Sequence, residues 1–256
     1  MAPRTPLSRL RAAVERVETR SEPSAAGPPL ALGWDGPDAA IGGGLRRGAV
    51  HEWLTGDPDP SGGHWWGPPL GVLIHAAGRA LREDAAGRRA VWVGRRVWPH
   101  PRAVRAAALL ERSVFVAPRG DAERLWAIDL ALRCAGVAVV VADGSGLGMG
   151  ESRRLQLAAG AGGGVCLLAR PWWERREVSA AWTRWRVAPA PSDWTDPRWT
   201  VELLRCKGVR PAPEDARRWA VRREHETGDV RVAADAPDRP GEAAGPATGW
   251  AARRRA

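Results

Sequence analysis

From Ala49 onward the chain alternates short apolar runs with stretches of helical periodicity, and this alternation restricts the possible folds more than any other feature of its 256 residues. Ala49 to Leu54, Ala90 to Val93, Ser113 to Val116, Val137 to Ala142 and Val165 to Leu168 read as buried strands. Between them, Leu70 to Arg82, Pro101 to Glu111, Asp121 to Cys134 and Ser152 to Ala159 read as helices. Parallel strands need long crossover connections, and helices usually supply them. The expectation is therefore an α/β core over residues 31–208, with a mainly parallel sheet covered on both faces.

The pattern changes on either side of this core. Thr183 to Ala188 and Trp199 to Cys206 alternate polar and apolar residues around a Pro-Ser-Asp turn, which predicts an antiparallel pair extending the sheet. Arg218 to Arg223 and Val230 to Ala233 flank Thr227-Gly228 and predict a last hairpin within residues 209–235. At the other end, Leu7, Leu10, Val14 and Val17 fall at helical spacing, followed by a linker from Ser21 to Pro29, so residues 1–30 read as an amphipathic helix and tether. That helix fits either its own core or a neighbouring molecule. Residues 236–256 are rich in Pro, Gly and Ala, end in Arg253, Arg254 and Arg255, and read as a disordered basic tail.

The formal charge is +10, which suits a polyanionic partner such as DNA or an acidic protein face. Lys207, however, is the only lysine among 39 basic residues, Tyr is absent and Phe occurs once, a skew of the kind a GC-rich genome produces. Charge alone thus supports both a binding footprint and a compositional background. Cys134, Cys166 and Cys206 are odd in number and show no Cys-x-x-Cys spacing, which argues for reduced thiols and against a disulfide framework or zinc site. The start carries charges throughout, unlike a signal peptide, and no stretch approaches the roughly 18 to 20 apolar residues of a membrane span. The expected location is cytoplasmic, close to the nucleoid, with no membrane partner.

One motif is present in layout and missing in chemistry. A glycine-rich approach, Gly42 to Gly48, leads into the first strand, and a Gly/Pro/Ser loop from Gly56 to Gly67 leads into a helix, as in a phosphate-binding loop. Such a loop needs a lysine for the β- and γ-phosphates, a Ser or Thr for magnesium, and free backbone N–H groups. Here Gly56, Ser61, Gly62, Gly63 and His64 stand where that loop would be, without a lysine. Asp57 and Asp59 bring negative charge, Pro58 and Pro60 remove donors, and Trp65 and Trp66 fill space. An exposed imidazole such as His64 is mostly neutral at pH 7 and is a poor substitute for a permanent cation. No bound ATP, magnesium or other cofactor is expected.

Several strings resemble the ImuA family of RecA-related proteins. They are Ser152-Arg153-Arg154-Leu155-Gln156-Leu157-Ala158-Ala159, then Ser179-Ala180-Ala181-Trp182-Thr183-Arg184-Trp185-Arg186-Val187 continuing into Pro189-Ala190-Pro191-Ser192, and Glu202-Leu203-Leu204-Arg205-Cys206-Lys207-Gly208. The resemblance spans roughly residues 33–233 and implies a RecA-like P-loop NTPase fold with a degenerate P-loop and a C-terminal antiparallel extension. It makes Asp143, at the end of Val140-Val141-Ala142-Asp143, the counterpart of a magnesium-side (Walker B) aspartate. Where RecA has its catalytic glutamate this chain has Gly94-Arg95-Arg96, and Arg170 stands for a strand-terminal glutamine, so the resemblance implies a pseudo-ATPase and not an enzyme. RecA's longer DNA-binding loop is matched only by the stretch from Pro171 to Val178. Its Trp172, Trp173, Arg175 and Arg176 suit stacking and phosphate contact with single-stranded DNA, or equally a capped sheet edge with solvated cations. Arg205 and Lys207 resemble the cation pair through which a RecA subunit reaches its neighbour, and equally fit a solvated strand end.

The family implies a role in the SOS response and translesion synthesis, with RecA and a Y-family-like ImuB protein as partners and an error-prone replicative-type polymerase reached indirectly. An active RecA/KaiC-type ATPase with an atypical loop and a SulA-like division inhibitor are the alternatives. Gly144 to Gly150 lacks the G-x-G-x-x-G register of a dinucleotide site, and no G-x-S-x-G elbow or metal-ligand histidine spacing exists.

Overall fold

The computed structural model describes residues 27–55, 66–106, 109–192, 197–209, 213–224 and 227–233. Nine strands form one sheet: β1 (Ala49–Thr55), β2 (Arg89–Val93), β3 (Ser113–Val116), β4 (Val137–Asp143), β5 (Val165–Pro171), β6 (Thr183–Pro189), β7 (Arg198–Cys206), β8 (Arg218–Arg223) and β9 (Val230–Val232). Their order is β3-β2-β4-β5-β1-β6-β7-β8-β9. The first five run parallel, β6 joins β1 in parallel, and β7 to β9 continue antiparallel. The expected α/β architecture and the antiparallel extension are both present.

The strands β1, β4 and β5 are buried along their whole length, as expected of parallel strands sandwiched between helices. On one face α2 (Leu70–Arg82) packs its Val72, Leu73, Ala76, Ala77 and Ala80 against Trp53, Trp92, Val139, Val141 and Leu167. On the other, α4 (Asp121–Arg133) and α5 (Met149–Gly162) cover Val50, Val140, Ala142, Cys166 and Leu168. The two covering helices lie so close that a Cβ on Gly162 would stand 1.9 Å from the Leu132 carbonyl oxygen. Only glycine permits that approach.

Two local elements differ from expectation. A short α1 (Asp35–Ala40) precedes the core; Asp38 stabilises it by accepting hydrogen bonds from the backbone N–H groups of Leu32, Gly33 and Trp34. The helix expected from Pro101 to Glu111 is described as α3 (Pro101–Ala106) and a 3-10 turn at Leu110–Arg112. Leu30 is fully buried and bridges Leu45, and β8 and β9 extend the same sheet beyond β7. The amphipathic helix with Leu7, Leu10, Val14 and Val17, and the basic tail over 236–256, lie outside the described residues.

Candidate functional site

Crossover connections all leave the parallel sheet at the strands' C-terminal ends, so the loops after β1, β2, β4 and β5 gather at one edge, where ligands of open α/β sheets bind. Gly56, Ser61, Gly62, Gly63 and His64, the residues of the degenerate loop, lie outside the described residues. Its neighbours do not. Thr55 at the end of β1 donates a hydrogen bond to the Gly67 carbonyl at 2.6 Å, and Trp66 is buried.

Asp143 closes β4 with its side chain 6% exposed. Its Oδ1 accepts hydrogen bonds from the Ser145 N–H at 3.0 Å and the Ser145 hydroxyl at 2.6 Å. Its Oδ2 faces two cations, Arg96 Nε at 3.5 Å and Arg124 Nη1 at 3.9 Å. Arg124 is anchored by donating to the Ser145 carbonyl at 2.6 Å and pairing with Asp121 at 3.2 Å. Arg96 lies under the ring of Trp66, its guanidinium carbon 5.6 Å from the centroid. The oxygen that in an NTPase would face a magnesium ion thus meets two guanidinium groups of the same chain. A permanent cation at that distance and a divalent metal compete for one carboxylate, and the metal would add like charge. Among the described residues the Asp143 carboxylate is thus met by two cations of its own chain, and no group of three metal-ligating side chains exists there.

Gly94 makes this arrangement possible. It adopts φ +98°, and a Cβ there would stand 3.0 Å from the Cβ of Asp143. The 3-10 turn Arg95–Val97 that follows carries Arg96 across the strand end. The resemblance implied a missing glutamate at Gly94-Arg95-Arg96; the structure places Arg96 of this stretch 3.5 Å from the Asp143 carboxylate.

On the opposite face of the same edge lies a second charge cluster. Glu52 of β1 is fully buried; its Oε1 accepts from Arg170 Nη1 at 3.0 Å and from the Ser179 hydroxyl at 2.6 Å, and its Oε2 accepts from Arg184 Nε at 2.7 Å. Arg170 also donates to the Leu147 carbonyl at 2.7 Å and pairs with Glu174 at 2.6 Å. Arg184 donates to the carbonyls of Arg175 and Glu177, each at 3.0 Å. These bonds fasten the 3-10 turn Trp172–Arg176 to the sheet. Sequence reading missed Glu52 and Arg184. The available signal was an acid inside the buried run Ala-Val-His-Glu-Trp-Leu-Thr, which obliges a partner cation.

The fastened turn places the candidate DNA-loop residues unequally. Trp172 is covered by cations, Arg175 at 5.0 Å and Arg186 at 4.5 Å from its ring centroid. Trp173 is 41% exposed and Arg176 faces solvent. The candidate interface cations are also separated. Arg205 turns back to donate to the carbonyls of Ser179 and Ala181 at 2.9 and 2.7 Å, and burial together with the Arg184 guanidinium holds its pKa below the ordinary arginine range. Lys207 lies past the end of β7, its ammonium 5.9 Å over the Trp182 ring, which also receives Arg46 at 4.1 Å. Strand alternation thus stops short of Lys207, which lies past the end of β7.

The histidines and cysteines near the sheet are structural. His51 is buried between Thr183 Oγ1 at 2.8 Å and the Arg46 carbonyl at 2.9 Å, and burial pulls its pKa down to about 4. Burial pushes the Cys206 thiol up to about 11 and raises Cys166 further; all three cysteines are free.

Comparison with known proteins finds 36% identity over 204 residues to Protein ImuA of Caulobacter vibrioides, covering 72% of this chain and 81% of the relative. The same match is found in a second strain of that species. No protein-family model matches. Among solved structures, the RadB recombinase superposes with a TM-score of 0.55 over 79% of this chain and 98% of the other, at 14% identity, and thereby shows a shared recombinase fold. No helix among the described residues is long and apolar enough to cross a membrane.

Proposed function

The chain belongs to the ImuA family, and from that premise we propose that it is a catalytically silent RecA-like accessory protein of SOS-induced translesion synthesis, acting by binding RecA and an ImuB-type polymerase-like protein. On this reading the error-prone replicative-type polymerase is reached through those partners, and the protein works in the cytoplasm close to the nucleoid.

The observation that carries the silent role is the pairing of Asp143 with Arg96 and Arg124. An aspartate held by two cations of its own chain is not available to organise magnesium and a triphosphate, and the sequence of the preceding loop has no lysine to hold the phosphates. Binding is what such a scaffold retains.

Two measurements test this. Purified protein incubated with ATP and magnesium is expected to release phosphate at the rate of the buffer alone, and its thermal midpoint to be unmoved by nucleotide; turnover that disappears in Asp143→Asn would overturn the silent role. Affinity capture from DNA-damaged cells with the full chain as bait is expected to recover RecA and the ImuB-type protein, and recovery of neither would remove the adaptor role.

A further inference from the structure

The two ends of the sheet are guarded differently. At one end β9 carries Arg231, which pairs with Glu224 at 2.9 Å. At the other, β3 reads Ser-Val-Phe-Val and has no charged residue. Proteins that stay single blunt their edge strands with charge, a bulge or a covering element, because an open row of N–H and C=O groups recruits another strand. β3 pairs with β2 from Ala90↔Ser113 to Val93↔Val116, and among the described residues no strand pairs with its outer side.

The direction of the open groups follows from the inner side. The Val116 carbonyl accepts from the Gly94 N–H at 3.0 Å, so it points towards β2. Backbone groups alternate along a strand, so Val114 and Val116 turn theirs inward, Ser113 and Phe115 turn theirs outward, and Ala117 continues the outward row. Pro118 falls in the inward row, where its missing N–H takes nothing from the open edge. Both faces of the strand are apolar and half open. On one, Phe115 is 39% exposed, its ring 6.1 Å from that of Trp92 and 5.9 Å edge-on from that of Trp98, itself 40% exposed. On the other, Val114 is 42% exposed, and Val116 packs on the core below the covering helices.

We propose that β3 is the seat of a twofold homodimer, in which the β3 strands of two copies of this chain pair antiparallel with Phe115 opposite the second copy's Phe115. In this register Phe115 exchanges two N–H···O=C bonds with its mate, and Ser113 exchanges two with Ala117 of the other copy on each side of the axis, all from the outward row. Val114 faces the second copy's Val116, an apolar cross-strand pair that also occurs on each side. The same register brings the exposed Glu111 of each copy towards the exposed Arg119 of the other. A slip of two residues one way sets Glu111 against Asp121, and the other way against Ala117, so charge selects the register. The contact is isologous and closes on itself, leaving neither copy an open β3 edge. Antiparallel pairing turns the loop-bearing edges of the two sheets in opposite directions, so the dimer presents two Trp172–Arg176 turns facing apart. The dimer is independent of the ATP question, and its failure leaves the adaptor reading intact.

The test is sedimentation velocity of the full chain over rising concentration, in which the wild type is expected to reach twice the 27.6 kDa of one chain. Phe115→Lys sets two cations together at the axis and is expected to sediment as a monomer. Trp126→Lys, on α4 and 58% exposed, is expected to remain a dimer. Circular dichroism checks folding, and if Phe115→Lys unfolds, the exposed Glu111 and Arg119 carry the comparison. Glu111→Arg and Arg119→Glu alone are each expected to weaken the dimer about tenfold, since like charges replace opposite ones on both sides of the axis, and Glu111→Arg/Arg119→Glu together to restore it. A wild type that stays a monomer at every concentration, as it would with another segment of this chain or a different protein on the edge, overturns the proposal. So do species that grow beyond a dimer, a dimer that survives in folded Phe115→Lys, and charge reversals without loss or without rescue.

Discussion

The carboxylate of Glu52 and the guanidinium of Arg170 lie 3.0 Å apart in side chains that are 0% and 1% exposed. Such a pair is weak evidence of net stability, yet removing one member strands the other without solvent. Glu52→Ala leaves Arg170 and Arg184 facing each other across a void, and we expect a loss of about 3–5 kcal/mol in urea unfolding. A double-mutant cycle with Arg170→Met should be non-additive by more than about 1 kcal/mol; additivity within error would mean that the two groups are not coupled.

Gly94 is required twice, by its φ of +98° and by the Asp143 Cβ 3.0 Å from where a methyl would sit. Gly94→Ala should destabilise by about 1–3 kcal/mol, the cost of a non-glycine residue in a disfavoured conformation. Chemical denaturation reads this directly, and a neutral outcome would show that the turn carrying Arg96 is not tightly set.

Stability should depend on pH through His51. Its folded pKa of about 4 lies below the unfolded value of about 6.5, so below pH 6.5 the unfolded chain takes up a proton that the folded one refuses. Stability contributed by the neutral ring is complete above pH 6.5 and is lost as pH falls towards 4, up to about 3 kcal/mol at 1.36 kcal/mol per unit. His75, also buried and also lowered, acts in the same direction. Urea midpoints between pH 7.5 and 4.5 should fall more steeply for the wild type than for His51→Gln, and parallel profiles would assign the dependence elsewhere.

Arg205 and Lys207 should separate in experiment. Arg205→Ala removes two hydrogen bonds to backbone carbonyls and should cost about 1–3 kcal/mol, the penalty of leaving buried acceptors unsatisfied. Lys207→Ala sits on an exposed residue and should change stability by less than about 0.5 kcal/mol. The proposed binding to RecA is therefore best tested with Lys207→Ala, where unchanged affinity would exclude that ammonium from the contact.

The parallel core was legible because apolar runs such as Val137 to Ala142 are long, uninterrupted and separated by whole helices. The antiparallel extension was legible from the alternation at Thr183 to Ala188. The charge clusters were not. Arg96 and Asp143 are far apart in sequence, and which arginine among so many meets the aspartate depends on the path of a 3-10 turn, which no periodicity encodes. Arg205 illustrates the opposite limit. Strand alternation assigned it a side, but its guanidinium bends back to Ser179 and Ala181, a choice made by unsatisfied carbonyls.

A counter-ion built into the chain differs from one in solution in that it can neither diffuse away nor be replenished. With Arg96 and Arg124 tethered beside Asp143, the carboxylate at this strand end has its counter-charge within its own chain. On the silent role proposed above, a scaffold wired in this way has no fuel to exchange, and the amount of protein present becomes the variable that times its action.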